Sequence, residues 1–164
     1  MVEEIRRHMA RLHSFEELGC WKAGRSFKQF VFSLLKFFPA DERFTLVPQV
    51  KNAARSITHN IAEGFGRQLA FDNAKFCRIA RGSLFEVLDQ MITANDEGII
   101  TDDQLLQVRE HFQNALSPLD GYIDYLVRQR VANELREPDG EYGIDKVEGS
   151  VFQHYNSPTA STNN

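Results

Sequence analysis

Ser56, Asn60 and Glu63 of the segment ARSITHNIAEGFGR fall at i, i+4 and i+7, so an α-helix stacks them on one face. A hydroxyl and a carboxylate with His59 nearby raise the question of nucleophilic catalysis. That chemistry needs a base facing the hydroxyl. His59 instead falls on the opposite side of the helix with Lys51 and Arg55, so a serine hydrolase is excluded. Asp102 and Asp103 open a helical pattern, where paired carboxylates complement the helix dipole and do not form an acid–base pair. Cys20 and Cys77 lie far apart, with no CxxC and no histidine at metal spacing, which reads as two reduced, buried thiols. No glycine-rich phosphate loop precedes a helix. Neither an enzyme, a cofactor, a metal nor a small-molecule substrate is expected.

What remains is the chemistry of binding. Residues 1–81 hold 14 Lys and Arg against 8 Asp and Glu, a net +6, whereas residues 82–164 hold 5 against 15, a net −10. The candidate nucleic-acid contacts are Arg25, Lys28, Lys36, Lys51, Arg55, Arg67 and Arg78, all in the basic half. Trp21 and Phe32 stand among the first three of these. Aromatic rings interleaved with cations suit stacking on single-stranded nucleic acid; they equally suit anchors at a protein interface.

Four helical segments must position these groups, and no strand series competes with them. The first runs from about Leu18 to Phe37, preceded by Ser14 and Glu17 at capping-box spacing and ended before Pro39. The second starts near Pro48, whose missing N–H suits a first helical turn, and stops at Gly64. The third follows Asp72 as N-cap and reaches about Ala94, with Gly98 as its exit signal. The fourth begins after Thr101, which forms a second capping box with Gln104, and Pro118 predicts a bend near Gln113–Asn114. From Glu137 the chain carries five acids, one Lys and a Ser/Thr/Asn-rich end without apolar periodicity. It divides into a helical domain over 1–136 and a disordered acidic tail over 137–164. The fold class is all-α, an antiparallel up-down four-helix bundle.

Two helix faces point outward from such a bundle. On the second helix Val50, Ala53, Ala54, Ile57, Ile61 and Gly64 make the buried stripe, and Ser56, Asn60 and Glu63 border it. Border groups of this kind hydrogen-bond a neighbouring helix or chain, because a half-buried polar group is costly when unpaired. On the third helix Phe76, Ile79, Ala80, Ser83, Leu84, Val87 and Met91 form one stripe, which Cys77, Phe85, Leu88 and Ile92 widen beyond what a lone bundle buries. Gly82, in mid-helix, fits a close backbone approach. A homo-oligomer is expected, with Trp21, Phe32, Phe85, Leu88 and Ile92 at its interface.

The order LGCWKAG, FFPADERFTLVPQVKNAARSITHNIAEGFGR and FCRIARGSLFEVLDQMITANDEGII resembles the four-helix bundle proteins encoded in intervening sequences of bacterial 23S ribosomal RNA genes, over about residues 15–127. The most specific parts are Gln49, Ser56–Ile57, Asn60 to Gly64, Ala80 to Leu84, and Glu86. The chain departs from the pattern at Phe44–Thr45, where Tyr–Gly is commoner, and at Val47–Pro48. The resemblance implies an up-down bundle assembled as a homopentamer, without established enzymatic activity. It also implies a distant likeness to the accessory proteins of diversity-generating retroelements, which bind a reverse transcriptase and nucleic acid through a basic ring. It makes Ser56, Asn60, Glu63, Gly82, Ser83 and Glu86 an interhelix or interface motif.

Two functions follow as expectations. One is an oligomeric module that binds RNA or DNA, or serves a nucleic-acid enzyme; the other is a scaffold that binds only protein, its cations pairing with the acidic half of a neighbouring subunit. No apolar run approaches the roughly 18 residues of a membrane span, and MVEEIRRHMA lacks the hydrophobic stretch of a secretory signal, so no membrane partner and a cytoplasmic location are expected.

Overall fold

The computed structural model describes residues 13–67 and 69–134; the acidic tail lies outside the described residues. Four helices form: α1 (Gly19–Leu34), α2 (Leu46–Gly66), α3 (Ala70–Asp96) and α4 (Asp102–Glu134). Each packs on its neighbours in a ring, α2 most extensively on α3. Cross-helix pairs fix the alternation of direction. Lys28 meets Thr58 and Arg55 lies over Phe32 between α1 and α2; Ser56 meets Ser83 between α2 and α3; Arg81 meets Asp120 between α3 and α4; Phe30 stacks on His111 between α1 and α4. The result is an up-down-up-down bundle without strands among the described residues.

The ends of the helices have specific chemical causes. Ser14 caps a short 3-10 turn, Phe15–Glu17, by accepting from the Glu16 N–H at 3.2 Å, and the Glu17 carboxylate accepts from the His13 N–H at 3.3 Å, so the expected Ser14–Glu17 capping box gives way to bonds offset by one residue, while α1 starts at Gly19 with no side-chain cap. α2 begins at Leu46, two residues before Pro48. The Glu42 carboxylate accepts from the Leu46 N–H at 3.1 Å and from the Thr45 hydroxyl, which supplies the cap that Pro48 was expected to replace. α3 starts at Ala70, which puts Asp72 inside the first turn as a dipole complement and not at the N-cap. Its exit is a Schellman motif: Gly98 takes φ +73°, its N–H donates to Asn95 O and the Ile99 N–H donates to Ala94 O. Thr101 and Gln104 form the predicted reciprocal capping box. α4 runs unbroken through Pro118, which leaves the Asn114 carbonyl without the N–H it would otherwise accept from.

Phe27, Val31, Val50, Ile57, Ile61, Leu84, Val87, Met91, Val108 and Leu119 fill the interior. The buried line of α3 also takes in Cys77 and Ala94, whereas Ile79, expected inside, is exposed. At one end of the bundle the core turns polar. Asn73 donates to the Tyr122 hydroxyl at 2.8 Å and accepts from the Cys77 thiol at 3.4 Å. Desolvation pushes both thiols, Cys20 and Cys77, up to about 12, and raises Tyr122, so these groups stay neutral and unreactive.

Asn73 also faces Gly64. A Cβ on Gly64 would lie 2.8 Å from Asn73 Oδ1 and 3.1 Å from its backbone oxygen, whereas one on Gly66 would meet nothing within 4 Å. Gly64→Ala is therefore expected to destabilise the fold by about 1–3 kcal/mol through overpacking. Gly66→Ala, two residues away, should be neutral or stabilising by up to about 1 kcal/mol. Urea unfolding of both variants decides; equal shifts would refute the close α2–α3 approach.

Candidate nucleic-acid interface

The α1–α2 seam gathers part of the expected cation set. Lys28 projects from α1 and its Nζ donates to Thr58 Oγ1 of α2 at 3.0 Å. Arg25, one turn earlier on α1, and Arg55, on α2, both act electrostatically on Lys28. Burial is the largest cause of its lowered pKa, and these two like charges add to it. Arg25 lies over the Trp21 ring at 6.0 Å and Arg55 over the Phe32 ring at 5.8 Å. The register that sets Phe32 against Arg55 places exposed Lys36 level with half-buried Lys51. A cationic strip thus follows the seam.

The other two cations do not join it. Arg67 at the end of α2 pairs with Glu63 at 2.6 Å and lies over Phe76 at 5.1 Å. Arg78 is exposed on α3, across the bundle from α1. Arg67 pairs with Glu63 and Arg81 with Asp120, whereas among the described residues no carboxylate pairs with Arg25, Lys28 or Arg55. Three like charges held together without a counter-charge oppose folding and favour an anion.

Trp21 and Phe32 are half-buried and pack on the chain's own core, as does Leu88. Part of each of these side chains is thus covered by the chain's own bundle, and the remainder stays at the surface. Ile92 is half-buried too. Of the expected interface set, Phe85 stays most open, 42% exposed, with its ring edge-on to Phe112 and Arg81 at 4.9 Å.

The polar border divides in the same way. Ser83 reaches Ser56 Oγ at 2.8 Å across α2–α3, as a border pair should. Asn60 donates to Ser56 Oγ and Ser56 O at 2.9 and 2.8 Å, supporting that contact from its own helix. Glu63, expected to pair with a neighbouring helix, pairs with Arg67 one turn along α2 instead. Gly82 and Glu86 face outward, and a Cβ on Gly82 would meet nothing within 4 Å. Glu86 accepts from Gln90, whose buried Oε1 has no partner among the described residues.

Thr58 and Gln90 are missed by pattern reading. Thr58 sits beside the buried stripe with nothing in its spacing to mark it as the acceptor of a lysine from another helix. Among the described residues no three His, Cys, Asp or Glu side chains cluster to hold a metal ion, and no helix is long and apolar enough to cross a membrane.

The strip generates a stability prediction. Lys28 has a lowered folded-state pKa, so the unfolded chain holds that proton more tightly and the charged form opposes folding up to the folded-state pKa; the penalty disappears only as pH rises past the ordinary lysine range. Lys28→Met should raise the melting temperature at pH 7 and low salt, since Thr58 still donates to Arg55 O. The gain should shrink toward 1 M salt, where the screening length falls to about 3 Å. A loss of stability that is independent of salt would show that the cations do not repel.

A search of curated proteins returned no match. A family profile described as 23S rRNA-intervening sequence protein matches residues 16–121, from the turn before α1 to the middle of α4. That span includes the seam, its cations and the Ser56–Ser83 contact, and with the helical bundle around them it establishes that the chain belongs to the 23S rRNA-intervening sequence protein family.

Proposed function

We propose that this chain is a non-enzymatic, self-associating bundle that binds single-stranded RNA or DNA along the α1–α2 seam. The observation that carries the reading is the set Arg25, Lys28 and Arg55, held in mutual reach with no carboxylate partner among the described residues. A phosphate backbone supplies the missing counter-charge. Trp21 and Phe32 hold the two guanidinium groups over their faces, and guanidinium planes are surfaces on which the bases of a single strand stack. Double-stranded DNA lacks such exposed base faces.

Self-association is supported by the outer face of α3. Ile79 and Phe85 are exposed there, to either side of Gly82, whose missing side chain leaves the backbone open to close approach. The family resemblance points to a pentamer. A ring of five would present five strips, and avidity would strengthen a contact that is weak in one copy. The same face also favours a second reading, a scaffold that binds only protein, in which the strip pairs with the acids of a neighbouring subunit.

Fluorescence anisotropy with a labelled single-stranded oligonucleotide separates the two. Three phosphate contacts per subunit predict that log K falls with log salt at a slope of about −2 per engaged subunit. Arg25→Glu with Arg55→Glu should abolish binding while light scattering reports an unchanged mass. No salt-sensitive binding by the wild type at about 50 mM salt, where such contacts are strong, would sink the nucleic-acid reading. A mass that falls in the double variant would support the scaffold.

The assembly has its own test. Ile79→Glu should lower the mass measured by light scattering, because a charge buried at an interface without a partner costs several kcal/mol. Ile79 is 45% exposed, so the bundle itself should fold, with unchanged helicity. An unchanged mass would place any assembly on another face.

A further inference from the structure

We infer that the acidic C-terminal segment of this chain, residues 137–148, docks on its own α1–α2 strip and competes there with nucleic acid. The inference rests on the strip proposed above as the binding surface, and deepens it into a regulated one.

Charge complementarity is the first ground. Arg25, Lys28 and Arg55 lie together without a carboxylate among the described residues. The segment from Glu137 carries Glu137, Asp139, Glu141, Asp145 and Glu148 against a single Lys146. Its net −4 equals the charge of the whole chain, so residues 1–136 are neutral overall and the tail holds the entire excess. Spaced carboxylates present a cationic groove with the same kind of ligand as spaced phosphates.

Position is the second ground. α4 ends at Glu134, at the end of the bundle where α1 begins, and α1 packs directly on α4. Phe27 of α1 lies level with Phe112 of α4, which places Arg25 near residue 114 in height. The axial separation from Glu134 is then about 30 Å at 1.5 Å per residue. The fourteen residues from 135 to 148 extend to about 46 Å at 3.3 Å each, enough to return along α1 to the strip. A tether this short gives an effective concentration in the millimolar range, so a contact of only millimolar affinity would be about half occupied.

Trp21 is the sole tryptophan of the chain and lies under Arg25, which makes it a local reporter. The experiment compares the full chain with a full-length variant, D139N/E141Q/D145N/E148Q, by acrylamide quenching, because a neutral quencher does not respond to net charge. At low salt the wild type should be quenched less, by up to about half if the strip is half covered. In about 1 M salt the two should coincide, since the screening length is then about 3 Å. Equal quenching at low salt overturns the inference; it is also the result if the tail stops at Arg128 and Arg130, near its origin on α4. Protection that grows with protein concentration overturns it as well, because the tail of a second copy would then cover the strip. Anisotropy with a single-stranded oligonucleotide forms a separate arm, in which the neutral-tail variant should bind about twofold more tightly. If neither protein binds the oligonucleotide, the nucleic-acid reading fails while quenching still decides the tail contact.

Discussion

The close approach of α2 to α3 at Gly64 sets the geometry on which the rest of the bundle depends. Only a residue without Cβ leaves room there for Asn73, whose amide turns inward to Tyr122 and whose carbonyl takes the Cys77 thiol. Overpacking at this point would push apart the two helices with the most extensive contact. The two helices also bury the small side chains Ala53, Ala54, Ala74 and Ala80, and Ser56 and Ser83 come within hydrogen-bonding distance across the seam. With α3 seated in this way, its register against α4 follows through Arg81–Asp120 and the Phe85–Phe112 edge contact.

The α1–α2 seam is built on different terms. Gly24 admits α2 closely, since a Cβ there would lie 2.9 Å from the Ile57 Cγ2. The outer edge of this seam then carries Lys28, half-buried on Thr58, between Arg25 and Arg55. Repulsion among exposed cations is modest and screened by salt, whereas burial of each large apolar side chain contributes about 1.5–3 kcal/mol. The core therefore tolerates the strip. A surface that opposes folding slightly and has no carboxylate partner among the described residues is suited to a ligand that supplies a counter-charge.

Sequence periodicity determined much of the architecture. The count and order of four helices, the Schellman exit at Gly98, the capping box of Thr101 and Gln104, and most of the core follow from local rules, because each depends on residues within a turn or two of one another. The starts of α2 and α3 were less legible. A carboxylate four residues upstream, Glu42, caps α2 through a turn whose folding no spacing announces, and α3 gains a half-turn before Asp72. The width of the apolar arc on α3 was legible as well, but not its division between a buried line through Cys77, Leu84, Val87 and Met91 and the exposed Ile79 and Phe85.

For the site, the sequence supplied residue types and the fold chose among them. That Arg25 and Lys28 were cations near aromatic rings could be read directly, whereas Arg55 could be read only as a cation on the outer side of the second helix, its place over Phe32 being set by the fold. That they meet, while Arg67 is taken by Glu63 and Arg78 faces elsewhere, depends on the rotation and register of α1 against α2, which are set by packing at Gly24 and Ile57. The assignment of Ser56 to Ser83 and of Glu63 to its own helix has the same origin. Helical spacing fixes which side chains share a face; only the packed bundle decides which of those faces meet, because contacts between helices depend on distances that a single chain's periodicity does not contain.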